Sequence, residues 1–174
     1  MTTLIDSRVS LRTVTSSLES LHFNLNVLNA TSSPFHVHDC FFRNTLLAST
    51  SGCHALLCTD LITKQQHLIY RFAERTSLGV SLELWTSSTV QGDVIPFLKS
   101  LSFSTPTTRE RKGTKFLIDD LNVLVFQLIE DDIIIDNNWV VEIEIYCMRS
   151  EVEKMAERVL HLGRQLASVG VFSP

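Results

Sequence analysis

At 174 residues the chain is long enough to bury a self-sufficient core, and a single domain over 1–174 is expected. Its 15 Lys plus Arg against 19 Asp plus Glu leave a formal charge of −4, which argues against nucleic-acid backbone or an anionic membrane as the main partner. Four irregularly spaced cysteines, Cys40, Cys53, Cys58 and Cys147, read as buried thiols of a reducing compartment rather than a disulfide framework, and with no leader pattern or long apolar run the expected compartment is cytoplasm or nucleus.

Leu18, Leu21, Leu25 and Leu28 recur at helical spacing behind Thr15-Ser16-Ser17, which predicts an amphipathic helix over about Val14 to Leu28. After the turn-forming stretch Asn29 to Pro34 the pattern changes to runs rich in Val, Phe, Ile, Leu and Thr. Strands are predicted at Phe35 to Phe42, Cys53 to Leu61, His67 to Ala73 and Leu78 to Thr86. The short turn signals between them suit antiparallel hairpins. A short helix is expected at Asp93 to Leu101, with Pro96 in its first turn and Phe97, Leu98 and Leu101 facing the sheet.

Further strands are expected around Phe103, Lys115 to Ile118, Leu121 to Ile129 and Trp139 to Cys147. Ser150 and Glu153 form a capping box for a terminal helix to about Leu166, whose Val152, Met155, Ala156, Val159, Leu160, Leu162 and Leu166 make one apolar stripe. Eight or nine antiparallel strands with helices at the start, middle and end predict a β-rich α+β protein whose sheet curls or closes, because closure removes exposed edges.

Residue types that carry chemistry are sparse. His36, His38 and Cys40 alternate on one strand face and offer a weak zinc pattern without a fourth ligand. Cys53 and Cys58 lack redox-pair spacing, and no nucleophile elbow or phosphate-cradling glycine loop is present. No cofactor is expected. Glu142 and Glu144 share a face in Val140-Val141-Glu142-Ile143-Glu144-Ile145. Inside a barrel such a pair would hold a divalent metal, and on the solvated outer face it would hold nothing; the outer face is the expectation, since the first candidate strand, Leu4 to Val9, supplies no matching Glu-x-Glu and Glu74 and Glu83 stand singly.

Arg109, Arg111, Lys112 and Lys115 read as a solvated hairpin tip. Ile133, Ile134 and Ile135, set among Glu130, Asp131, Asp132 and Asp136, demand burial. Either they extend a strand into the core or they form an apolar patch for a partner.

Several strings carry a resemblance over most of the chain: Ser17-Leu18-Glu19-Ser20-Leu21, then Phe97-Leu98-Lys99-Ser100-Leu101-Ser102-Phe103, then Gly113-Thr114-Lys115-Phe116-Leu117 followed by Leu121 to Leu128, and the terminal helix from Glu151 to Leu166. With the order of elements, these resemble the subunit eighteen family of the Mediator complex, the transcriptional co-activator that bridges regulators and RNA polymerase II. The resemblance implies a multistranded barrel related to triphosphate-tunnel enzymes but without their activity. It also implies a nuclear protein of the Mediator head module, heterodimeric with subunit twenty and binding a C-terminal helix of subunit eight. The competing expectation is a metal-dependent triphosphate-tunnel phosphohydrolase using Glu142 and Glu144.

Overall fold

The computed structural model describes residues 7–43, 54–76, 78–130, 133–135 and 138–167, with backbone alone at 72–75. Strand β1 (Ser7–Thr15) leads into helix α1 (Leu18–Val27), and the hairpin-linked strands β2 (Thr31–Arg43), β3 (His54–Asp60), β4 (Gln66–Arg75) and β5 (Ser81–Val90) follow. Helix α2 (Ile95–Ser100) precedes β6 (Thr107–Ile118), β7 (Leu121–Glu130), the short β8 (Ile133–Ile134) and β9 (Trp139–Cys147). Helix α3 (Val152–Ala167) ends the described chain.

All pairings are antiparallel, in the order β6-β2-β3-β4-β5-β1-β9-β7-β8, and the additional β6–β7 pairing closes the ring, leaving β8 outside it. The result is a closed eight-stranded barrel with one extra strand. The curled sheet expected from the strand spacing is therefore present.

Where the expected boundaries fail, the cause is local. Val14 and Thr15 belong to β1, paired with Val140 and Trp139, so α1 begins only at Leu18. Ser17 makes no side-chain cap to the backbone; its hydroxyl meets Ser20 Oγ at 2.8 Å, and its N–H donates to Thr15 Oγ1 at 3.1 Å. Pro34 lies inside β2 rather than in a turn. It is tolerated because β3 joins β2 only from Val37, so this stretch has a strand on one side alone. The tight β3–β4 turn is held by Asp60 Oδ1, which accepts from the N–H groups of Ile62 at 2.7 Å and Thr63 at 3.0 Å.

The largest apolar cluster lies outside the barrel, between its wall and the helices. Leu21 and Leu25 of α1, and Val152, Met155, Ala156, Val159, Leu162 and Leu166 of α3, cover outward residues such as Val9, Val123, Val141, Ile143 and Ile145. Leu18, Leu28 and Leu160 are only partly buried at its rim. Gly163 lets α3 lie close to β1: a Cβ there would stand 2.6 Å from Leu11 Cδ2. The chain enters α3 through a 3₁₀ turn at Arg149–Glu151, so Ser150 sits within that turn and not at the helix boundary expected for a capping box.

A second cluster sits where α2 covers β2, β3 and β4: Cys40, Phe42, Ala55, Leu57, Leu68, Val94, Leu98 and Phe103. Only Leu98 of the expected trio is buried there, whereas Phe97 and Leu101 are exposed, because a helix of six residues presents one narrow stripe.

Leu162→Ala should then lower unfolding free energy by about 2–5 kcal/mol in urea denaturation, and Phe97→Ala should stay within about 0.5 kcal/mol of the parent protein. A loss of equal size in both would contradict this division between buried and exposed helix faces.

Candidate functional site: a charged barrel interior

Strand alternation and the outward helices together decide which side chains enter the barrel. On β9, Val141, Ile143 and Ile145 face the helices, so Glu142, Glu144 and Tyr146 face inward. By the same register Arg8 and Arg12 of β1 are inward, as are Phe35, Asp39 and Phe41 of β2, Cys58 of β3, Arg71 of β4, and Glu83 and Trp85 of β5. Arg109, Arg111 and Lys115 of β6 and Leu124 and Phe126 of β7 complete the set. Glu142 and Glu144 are thus 7 % and 5 % exposed and line the lumen, correcting the expectation that they stand on a solvated outer face.

Arg8 is the centre of this set. It donates from Nε to Glu144 Oε2 at 2.8 Å, from one terminal nitrogen to Glu142 Oε1 at 2.8 Å and from the other to Glu83 Oε2 at 2.9 Å. Glu83, which looked isolated in sequence, also accepts from Arg71 at 3.2 Å; the side chain of Glu74 lies outside the described residues. Asn122 Nδ2 reaches Glu144 Oε1 at 3.5 Å. Above the network, Arg8 stacks 5.8 Å from the Trp85 ring, and Trp85 meets Tyr146 edge-on at 5.3 Å.

Burial opposes charge on Arg8, but Glu144 and Glu142 outweigh it and hold its pKa well above the ordinary value. For Glu142, burial favours the neutral acid, and the charges of Arg8, Arg111 and Arg12 overcome this to leave its pKa lowered. Glu142 is therefore held as a carboxylate on an internal guanidinium, which Glu144 also contacts. Arg8 occupies the position between them that a divalent ion would need, so these residues do not fit a metal.

The rest of the interior is also rich in cations. Arg111 donates to Asp39 Oδ2 at 2.6 Å, and stacks 5.4 Å from the Phe35 ring and 5.5 Å from that of Phe126. Arg109 lies 5.8 Å from the Phe41 ring, and Arg12 lies 5.6 Å from that of Phe126. The basic residues expected at a hairpin tip are thus in the middle of β6. Arg109, Arg111 and Lys115 point inward and Lys112 outward, while the actual β6–β7 tip is Asp119-Asp120, with Asp119 at φ 55°.

Other expected sites do not assemble. His36 pairs with Glu110 at 3.0 Å, His38 Nδ1 is 3.7 Å from Cys40 Sγ, and Cys40 is buried beneath α2. Among the described residues no group of three or more His, Cys, Asp or Glu is arranged to hold a metal ion. Cys53 lies outside the described residues, and burial followed by the charge of Asp39 pushes the inward Cys58 thiol up to about 12, far from a reactive thiolate.

Ile133, Ile134 and Ile135 are 69 %, 48 % and 50 % exposed. Ile133 and Ile134 do form a strand, β8, on the edge of β7, with Ile134 opposite Ile129 and Ile135 just beyond it, yet none of the three enters the core. Asp131, Asp132 and Asp136 beside them lie outside the described residues.

In fold, the closed eight-stranded antiparallel barrel with one extra strand matches triphosphate-tunnel-like solved structures. No protein-family model matches the chain, and no curated protein matches it in sequence. Solved structures do. A chain in the Schizosaccharomyces pombe Mediator head module superposes with a TM-score of 0.74 at 12% identity, covering 95% of this chain and 96% of that one. A conserved hypothetical protein of Pyrococcus furiosus gives 0.70 at 15% identity, covering 92% and 90%. A Hippeastrum protein assigned as an adenylyl cyclase, with a dominant triphosphatase activity, gives 0.59 at 12% identity, covering 95% and 88%. At such identities the likeness is one of fold.

Arg8→Ala removes the shared counter-ion of buried carboxylates and should cost about 3–5 kcal/mol at neutral pH. In the parent protein the lowered pKa of Glu142 contributes stability above its unfolded value of about 4.3, lost as pH falls through the folded one. In the variant, burial without Arg8 raises that pKa, so acidification relieves the defect. The gap between the two proteins should shrink from pH 7 to pH 5 in urea denaturation, and a gap independent of pH would refute the clamp.

Proposed function

We propose that the chain is a non-catalytic interaction subunit of the Mediator head module, of the subunit eighteen type, acting in the nucleus in regulation of transcription by RNA polymerase II. The observation that carries this reading is the guanidinium of Arg8 bound by Glu83, Glu142 and Glu144. A metal-dependent hydrolase needs such carboxylates free to hold an ion, whereas a structural barrel gains by neutralising them internally. The near-complete mutual coverage with a Mediator head chain supports the same reading.

On this reading the partners are the related barrel of subunit twenty, as a heterodimer, and a helix of subunit eight, and the chain itself touches neither membrane nor nucleic acid. No helix among the described residues is long and apolar enough to cross a membrane. Ile133, Ile134 and Ile135 are the proposed partner-binding residues: an exposed apolar strand at a sheet edge is unfavourable in water and becomes useful when another chain covers it. The alternative, a metal-dependent phosphohydrolase of the triphosphate-tunnel type, draws on the inward arginines and on the fold shared with the Hippeastrum triphosphatase.

Two measurements separate these readings. Affinity capture of the tagged chain from native nuclear extract should recover Mediator subunits, and purified protein with Mg²⁺ or Mn²⁺ should release no phosphate from tripolyphosphate above a buffer blank. Metal-dependent release abolished by Glu142→Gln would reverse the assignment. Ile134→Asp should weaken heterodimer formation at least about tenfold while leaving the melting temperature nearly unchanged, since the side chain is already half in water. Unchanged affinity in the folded variant would remove β8 from the interface.

A further inference from the structure

Among the described strands β8 pairs with β7 alone, so one of its edges is open. Ile133 and Ile134 stand opposite Glu130 and Ile129, and the N–H of Ile135 donates to the carbonyl oxygen of Leu128 at 3.0 Å. In an antiparallel ladder alternate residues bond to the same neighbour, so the N–H and C=O of Ile134 point away from β7. Side chains alternate as well. Ile134 shares a face with Ile129, and Ile133 and Ile135 share the other with Glu130 and Leu128, so both faces of this edge carry exposed isoleucine.

The same segment concentrates the acidity of the chain. Glu130, Asp131, Asp132 and Asp136 flank the three isoleucines in sequence, and these four acids match the formal charge of −4 of the whole protein. Glu130 is exposed, with Arg109 Nε 3.5 Å from its carboxylate. Two copies of β8 laid side by side, in either direction, would set acidic flanks against acidic flanks, and like charges across a strand pair are destabilising. A second copy of this chain is therefore a poor occupant of the edge. A segment whose apolar centre is flanked by Lys or Arg meets both the isoleucines and the acids.

We propose that β8 receives an extended, Lys- or Arg-flanked apolar segment of a partner protein as an added strand, paired through the N–H and C=O of Ile134. The proposal rests on the reading of Ile133, Ile134 and Ile135 as partner-binding residues, and adds to it the conformation and the charge of what they bind. In strand addition the main chain supplies affinity and the side chains of the two faces supply specificity. The acidic flanks then act twice: they guard an open edge against self-association, and they select a basic segment.

The test is titration of the purified full chain with the acetylated and amidated peptide Lys-Lys-Val-Thr-Val-Lys-Lys and with its counterpart carrying Glu for every Lys, read by calorimetry and by amide hydrogen exchange. The Lys peptide is expected to bind at least about tenfold more tightly than the Glu peptide, to weaken as salt rises, and to slow exchange of the Ile134 amide. Ile134→Pro removes the outward donor and no bond to β7, so it should keep the melting temperature and weaken binding at least about tenfold. Ile134→Ala keeps the donor and should weaken binding less than Ile134→Pro.

No binding of the Lys peptide, equal binding of the two peptides, or equal losses in Ile134→Pro and Ile134→Ala would each overturn the proposal. Should Ile134→Pro fail to fold, protection of the Ile134 amide in the parent decides by itself, and an unprotected amide in the peptide complex overturns strand addition. The proposed interaction role is read separately. Heterodimer formation weakened by Ile134→Asp but not by Ile134→Pro would overturn strand addition and leave that role standing.

Discussion

The pairing of β6 with β7 is the constraint on which the rest of the molecule depends. It joins the two ends of the strand order, so each barrel strand has neighbours on both sides and the sheet acquires an inside and an outside. Gly113 sits at this seam, where a Cβ would lie 1.9 Å from the carbonyl oxygen of Val125, too close for any side chain unless the backbone shifts. Once the ring is closed, the period-two alternation of every strand becomes a sorting rule that sends one set of residues to the helices and the other to the lumen.

The sorting is unusual in its polarity. The two apolar clusters that α1, α2 and α3 cover face outward, and many charged residues go inward beside Phe35, Phe41, Leu124 and Phe126. Charges in a confined interior are tolerable only when paired and hydrogen-bonded, and the Arg8 network meets that condition with donors on three carboxylates. The arginines beside Phe126 meet it incompletely, relying on aromatic faces for part of their surroundings. One barrel thus holds a closed electrostatic clamp and an open cationic end.

The structural likenesses fit this picture at the level of architecture. The same closed barrel occurs in a chain of a transcription assembly and in a protein with triphosphatase activity, so the fold alone does not choose a function. Here β1 presents Arg8, Ser10 and Arg12 inward, so a cation fixed to the chain stands opposite Glu142 and Glu144.

Local pattern in the sequence by itself determined the elements: the leucine spacing of α1, the apolar stripe of α3, Pro96 at the start of α2, and the strands β2 to β5, β7 and β9 were legible because each depends on residues a few positions apart. Much of β1 was not, since a strand read as ending at Val9 and a helix read as beginning at Val14 are fixed only by pairing with β9, more than a hundred residues away. The charged site was half legible. Alternation put Glu142 and Glu144 on one face, but the side of the barrel that face looked toward depended on where α3 docked. The inward turn of Arg109 and Arg111 followed from β6 running straight through a stretch that resembled a loop. The pairing of Arg8 with acids 75 to 136 residues distant was decided by closure alone, because only tertiary structure brings charges from β1, β5 and β9 to one point.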